Sequence, residues 1–550
     1  MRDHRPGDGL GDAHRRLSHL ARPSNLAILA FAAIAALVIW QYSSIDVFGN
    51  DAAQYISVSD TFAATGRLAT TTLYYELHHN LGMPAAQTVW PPGYPLLIGS
   101  LERLTGADSV ELIRVVNAFA HLFSVILLYA TLLRLCERRA IAAFLAACYA
   151  LHAYSLYLAA TGLSEPLYTL LGLAVAFGLV RTFESGIRPG WLLVAGSAAA
   201  LACLVRYQAL VCAVALGLAV LCVCLNRRLG TRRALAWAAL SVAPFLVTFA
   251  LIVARNLAIA NSVTGGPQVP GGGQPLLPLL VELARDVMQL MPGALKPVSL
   301  ALRLLLLGAL GWLVVLSLRI ILTSGWSREP RGDTRLALTI YGGAFAAGTV
   351  ALIVLLALGT SAYTIELRYL MPTVPALIVG FAALLTEGDR RFVTPGGRVL
   401  GGALALGLVG VTAVNLLGWH ENLETREHDS LRHVLAVETR DGVTMQNLLA
   451  RAAANGGPVM SNQSQQLHLA LREPTLGVPE RRLSARQWRD ADLQRLARRF
   501  DVHYIILFKK RPLGGGDGRN DYVLPLAQQQ PKWTRTVFST PEVELLEIAR

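Results

Sequence analysis

Charge is scarce in this chain: of its 550 residues only 15% are Asp, Glu, Lys or Arg, against roughly 25% in soluble globular domains. With 53% hydrophobic residues and a mean hydropathy of +0.45, and with apolar runs near the length of a bilayer span, a wholly water-soluble fold is excluded. Acidic residues are the scarcer sign, 36 against 49 basic ones. The arginines nevertheless sit in short loops between apolar segments, which is what membrane insertion produces, and not on a nucleic-acid-binding face; no nucleic-acid partner is expected. Cysteine is confined to Cys136, Cys148, Cys203, Cys212, Cys222 and Cys224, in or beside apolar segments. The long polar segments carry none, so no disulfide framework holds them, and no His or Cys partners stand at zinc spacing. Nucleotide signatures are missing too: there is no P-loop and no Gly-x-Gly-x-x-Gly at a strand–helix junction.

The apolar runs are present and numerous. About eleven spans of roughly 20 residues are expected, near 26–43, 112–133, 140–160, 163–181, 191–205, 208–225, 234–254, 299–320, 336–358, 369–386 and 398–418. The basic tail 1–25, with Arg2, Arg5, Arg15, Arg16 and Arg22, precedes the first span and lacks a clear cleavage site, so the tail reads as cytoplasmic and the span as retained. Alternate turns then carry arginine: "RLCERR", "RTFESGIRPG", "NRRLGTRR", "SREPRGDTR" and "DRRFVTPGGR". The remaining turns are nearly uncharged or long and mixed. An odd number of spans places residues 420–550 outside, as a small α/β domain with strands around "GGPVMSNQSQQLHLAL" and "FDVHYIILF" and a charged helix between them. The membrane domain is thus 26–419, with outer loops 44–111 and 256–298; in the second, Glu282, Arg285 and Asp286 share a helical face suited to lying in the interface.

Ionisable residues at the outer ends of the spans are few. Asp51 follows the first span, Glu165 lies in the turn "LSEPL", Arg206 in "LVRYQAL", Arg255 in "ARNLAIA" and Arg368 in "ELRYLMP". A charge at membrane depth costs several kcal/mol, on the order of 3, unless it meets a polar cavity or a partner. Each arginine taken singly is equally well explained by snorkelling to headgroups. Together, two carboxylates and three guanidiniums at one level point to an outward-facing polar pocket. Arginine suits a lipid-linked phosphate, because its planar fork donates bidentate hydrogen bonds, and a carboxylate at the water edge can take a proton from an attacking hydroxyl.

The blocks "NDAAQYISVSDTFAATGRL", "WPPGYPLLIGSLERLTG", "SEPLYTLLGLAVAFGL", "RNLAIANSVTGGPQVPGG" and "RYLMPTVPALIVGFAAL", in that order, resemble the GT-C superfamily of membrane glycosyltransferases. More narrowly they resemble the bacterial branch related to protein O-mannosyltransferases and lipid A aminoarabinose transferases. The resemblance implies a GT-C-like membrane domain with an outer C-terminal domain. It also implies a polyprenyl-phosphate sugar donor, a glycan, lipid or protein acceptor, and an inverting transfer on the outer face of the bacterial cytoplasmic membrane. It assigns Asp51 as catalytic residue, with Tyr55 at the Tyr of the family's acidic motif. Ala52 replaces that motif's Glu, leaving Asp46 or Asp60 as substitutes. Arg206, Arg255 and Arg368 would stabilise the leaving phosphate, Arg368 and Arg255 foremost and Arg206 alternatively bracing the pocket, with Asn256 and Tyr369 beside them and Glu165 orienting the sugar or holding an arginine. Pro91, Pro92 and Pro95 shape the loop.

No cofactor is expected, although a magnesium or manganese ion on Asp51 and Glu165 is compatible with the sequence. His78, His79 and Glu76 form a weak alternative metal set. Two rival functions stay open: a lipid-linked-sugar transporter or flippase, which paired broken helices would favour, and a lipid-phosphate hydrolase, for which the lone His121 is a poor candidate and reads better as a packed core residue.

Overall fold

The computed structural model describes residues 23–44, 47–136, 138–266, 275–279, 329–359, 366–392, 457–479, 487–508, 531–540 and 543–549, with a few single residues besides. The expected spans 299–320 and 398–418, the basic tail up to residue 22, Asp46 and the charged face at Glu282, Arg285 and Asp286 lie outside the described residues.

The chain is a polytopic α-helical membrane protein. Its long helices are α1 (Pro23–Tyr42), α5 (Ser109–Leu135), α8 (Glu165–Phe183), α9 (Pro189–Val205), α10 (Ala209–Asn226), α11 (Thr231–Ala260), α12 (Pro330–Gly359) and α14 (Thr373–Phe392). Among the described residues six helices are long and apolar enough to cross a bilayer. The expected span 140–160 is instead a bent pair, α6 (Arg139–Ala150) and α7 (Ala153–Ala160), meeting at 47°. The break at Leu151–His152 frees the last carbonyls of α6, and His121 Nε2 supplies a partner at 3.0 Å from the Ala150 carbonyl. His121 is therefore the hydrogen-bonded core residue the sequence suggests. Helices α9 and α14 are apolar over shorter stretches. All six cysteines are free thiols at buried or half-buried positions.

Helices α5, α8, α10 and α12 each carry a charged pair at or just beyond one end. Arg134 and Arg181 both pair with Glu184, the latter at 2.9 Å. Arg227 pairs with Asp333 at 2.5 Å. Helix α8 has 19 residues, so at about 1.5 Å per residue its two ends are about one hydrocarbon thickness apart.

Between α1 and α5 the chain forms α2 (Asn50–Thr65), β1 (Ala69–Thr70), β2 (Thr72–Leu73), α3 (Glu76–Leu81), β3 (Ala85–Ala86) and α4 (Gly93–Thr105). The short α13 (Leu367–Leu370) precedes α14. The C-terminal region contributes β4 (Val459–Ser461), α15 (Ser464–Leu471), β5 (Thr475–Gly477), α16 (Asp490–Arg499), β6 (Tyr504–Phe508), β7 (Thr534–Ser539) and β8 (Val543–Ile548). The expected α/β character holds here, with a difference: the six-stranded sheet runs β2-β5-β4-β6-β8-β7, so its edge strand comes from the segment between α1 and α5. Thr72 and Leu73 pair in parallel with Thr475 and Leu476. Strands β4, β5 and β6 are parallel and buried on both faces, as such strands require. One face packs Leu73, Met460, Leu476, Trp488, Leu496 and Ile505; the other packs Val459, Leu467, Ile506 and Leu545.

Candidate active site

Helix α2 is the element that delivers Asp51. Its inner stripe Ala52, Tyr55, Ile56 and Ser59 is buried. Gln54 and Ser57, also buried, bind the β1–β2 turn: Gln54 Nε2 donates to the Thr72 carbonyl at 2.9 Å, and the Thr71 amide donates to Ser57 Oγ at 2.8 Å. At the N-cap Gly49 makes no side-chain cap bond, but its amide donates at 3.0 Å to the Thr161 carbonyl in the turn before α8. Asp51 thus sits in the first turn of α2, where the helix dipole favours a carboxylate, against the turn that carries Ser164 and Glu165.

Two ion pairs meet there. Arg368, on α13, donates from Nη1 to Asp51 Oδ2 at 2.7 Å and approaches Glu366 Oε2 with Nε at 2.6 Å. Arg206, which caps the C-terminus of α9 in an extended conformation, lies 2.7 Å from Glu165 Oε1 and donates to Ser164 Oγ at 3.3 Å. Tyr369 joins the pairs: its ring centroid is 5.6 Å from the Arg206 guanidinium carbon and 5.1 Å from that of Arg368, close enough for cation–π attraction. Its hydroxyl accepts from Arg368 Nη2 at 3.3 Å. Tyr55 closes the group, with its hydroxyl 3.2 Å from Ser164 Oγ and its ring edge-on to Tyr94 at 4.9 Å. Burial, followed by the negative charge of Asp51, raises the Tyr55 phenol above its ordinary value, so it acts as a neutral hydrogen-bonding group.

Six of the eight residues expected from the sequence therefore gather: Asp51, Tyr55, Glu165, Arg206, Arg368 and Tyr369. Arg255 and Asn256 form an adjoining group. Arg255 donates to the Gln87 carbonyl, while Asn256 donates to Tyr207 Oη at 2.9 Å and to the Val263 carbonyl at 3.2 Å. Tyr207 in turn donates to the Thr88 carbonyl. This second group, through Arg255 and through Tyr207 next in sequence to Arg206, holds the segment leading to Trp90 and α4. Pro92 is the N-cap of α4, in keeping with a loop-shaping role. Two participants escaped sequence reasoning, Glu366 and Ser164. Both stood inside quoted motifs, two residues before Arg368 and one before Glu165, but a residue that engages an arginine only after folding leaves no spacing signal.

The alternatives to Asp51 and the metal sets fare differently. Asp60 does not join the ion pairs; it accepts from Ser109 at 2.7 Å and from Arg472 at 2.9 Å. His78 and His79 are buried in α3 beside Tyr75 and Trp488, and burial pulls His78 down to about 4, which favours its neutral form. Asp51 and Glu165 are each paired with an arginine, and among the described residues no three His, Cys, Asp or Glu side chains come together as a metal set.

Comparison with known proteins supports this fold. Residues 89–252 match the family described as dolichyl-phosphate-mannose-protein mannosyltransferase. ArnT from Cupriavidus metallidurans in the apo state superposes with a TM-score of 0.58 at 15% identity, covering 94% of this chain and 97% of that one. The same protein bound to undecaprenyl phosphate gives 0.56 over the same shares, also at 15% identity. The arabinofuranosyltransferase AftD from Mycobacteria gives 0.50 at 16% identity, covering 95% of this chain but 41% of that one. No curated protein matches in sequence. The chain shares the fold of the membrane enzyme ArnT, and within that fold residues 89–252 match the dolichyl-phosphate-mannose-protein mannosyltransferase family.

Proposed function

We propose that this protein is an inverting glycosyltransferase that moves a sugar from a polyprenyl-phosphate donor to an acceptor hydroxyl on the outer face of the cytoplasmic membrane. The observation that carries the reading is the Asp51–Arg368 pair set beside Glu165–Arg206 at the ends of α2, α8, α9 and α13. The same fold in ArnT holds undecaprenyl phosphate, which supports a lipid-phosphate donor here. Asp51 takes the proton of the acceptor hydroxyl as its oxygen bonds to the sugar's anomeric carbon. The bond from that carbon to the phosphate oxygen breaks on the opposite side, and its electron pair leaves with the polyprenyl phosphate. Arg368 stabilises the charge on that phosphate. A donor phosphate arriving at Arg368 competes for the guanidinium that now holds Asp51, and so releases the carboxylate for its role as base. Arg206 and Tyr369 stand beside that pair, and Arg255 with Asn256 fixes the adjoining loop.

The test is Asp51→Asn in nanodiscs, supplied with a polyprenyl-phosphate sugar and envelope glycan or glycolipid acceptors. Transfer should fall by about 10²–10⁴-fold, the range of a lost general base, while donor binding is retained. Full turnover in that variant removes Asp51 from the mechanism.

A further inference from the structure

We propose that α15 of the C-terminal region is a clamp that sets the position of Asp51, with Gln466 as a positioning residue acting through Asn50. The role assigned to Asp51 rests on the glycosyl-transfer reading; the clamp itself is a matter of geometry.

Residues 466, 469 and 472 stand three apart, so they line one face of α15 and its C-cap. That face lies along α2. Gln466 Nε2 donates to Asn50 Oδ1 at 2.8 Å, and Asn50 is the first residue of α2 and the neighbour of Asp51. Leu469 is buried in the apolar core otherwise built by the membrane helices and the segment between α1 and α5. Arg472 donates to Asp60 at 2.9 Å, to Ser109 at 3.0 Å and to Asp108 at 3.4 Å. The two polar holds, at Asn50 and Asp60, are thus ten residues apart on α2, about 15 Å at 1.5 Å per residue, and α15 runs parallel to α2 between them.

Two features make the hold on Asn50 consequential. The first turn of α2 has no side-chain cap; it is held by the Gly49 amide bond to the Thr161 carbonyl, by Arg368 on Asp51, and on the α15 side by Gln466 on the Asn50 side chain. At the other end Arg472 adopts φ +60°, a left-handed conformation disfavoured for a residue with a Cβ. Its three side-chain contacts hold it there. The polar bonds and the apolar Leu469 anchor together fix where along its axis α2 stops. That fixes Asp51 relative to Glu165 and Arg206, which belong to other helices.

The experiment compares the full-length wild type with Gln466→Ala, Asn50→Ala, the double variant and Gln466→Glu in nanodiscs, by transfer kinetics and by hydrogen–deuterium exchange. Gln466→Ala should lower kcat about 10- to 100-fold, since small misplacements of a reacting group cost that much, with KM for the donor unchanged. Exchange in the Asn50–Tyr55 turn should rise. The double variant should match the worse single variant, because both substitutions remove one contact. Gln466→Glu should recover most of the rate, its carboxylate accepting from the Asn50 amide group. Wild-type kcat and exchange in Gln466→Ala, or additive losses in the double variant, overturn the proposal. If wild type transfers no sugar from a polyprenyl-phosphate donor, the glycosyltransferase reading fails, and exchange alone decides the clamp: faster in Gln466→Ala supports it, unchanged overturns it.

Discussion

Glu165→Ala tests whether Arg206 is a brace or a substrate ligand. The two side chains are only 2% and 11% exposed, at 2.7 Å, so neither charge is well solvated. Removing one member of a buried pair costs about 3–5 kcal/mol, because the other is left uncompensated. Arg206 keeps Ser164 at 3.3 Å and the Tyr369 ring, which places the expected loss near the lower end, about 3 kcal/mol or roughly a hundredfold in the unfolding equilibrium. The assay is reversible unfolding by SDS titration from mixed micelles. Glu165→Leu combined with Arg206→Met should regain most of the stability, since an apolar pair of similar volume replaces a buried ion pair at little cost. Activity then separates the roles. A brace returns with stability, whereas a guanidinium that contacts the donor does not. A loss below about 1 kcal/mol, the level of an exposed pair, would refute the reasoning that this pair is shielded from water.

Three further outcomes are expected. Burial, then the nearby Asp60 and Asp108 charges, pushes Glu102 up to about 7, with Arg472 opposing. The folded protein therefore holds a proton that the unfolded chain has released between the usual carboxylate range and about pH 7, and stability declines as pH rises through that window. Glu102→Gln should flatten that slope between about pH 5 and 8 in thermal-shift measurements. Asp60, raised in the same direction by burial, leaves a residual slope; an unchanged profile contradicts the assignment. Gly99→Val should destabilise by about 1–3 kcal/mol, because a Cβ there would lie 2.7 Å from the Ser59 carbonyl of α2; wild-type stability in the SDS titration would contradict that close approach. A reporter fused after residue 420 should score outside the cytoplasm. A cytoplasmic signal would overturn the proposed orientation.

Much of the helical body was legible because apolar length is a local property: the described helices fall within a few residues of the expected spans. The bend between α6 and α7 was not, since "ALHAY" carries no proline and the break is stabilised by His121 from another helix. The candidate site was legible because a charge among apolar residues stands out. That Arg206 would take Glu165 while Arg368 takes Asp51 depends on where α8, α9 and α13 end in space. The contact of Asp60 with Arg472 was illegible for a related reason: Arg472 lies in a part of the chain whose contact with α2 leaves no trace in spacing. Strand β2, two residues long, was invisible for want of any alternation to read.

That two-residue strand ties the order of assembly to the order of synthesis. Thr72 and Leu73 emerge early, yet their neighbours Thr475 and Leu476 are made only after every membrane helix. The sheet cannot be completed until the ribosome has nearly finished. A fragment starting at residue 420 would present β5 with a bare parallel edge, the kind of edge that invites pairing between molecules. Supplying the segment 44–111 in trans, on a separate polypeptide, is the natural way to cover it.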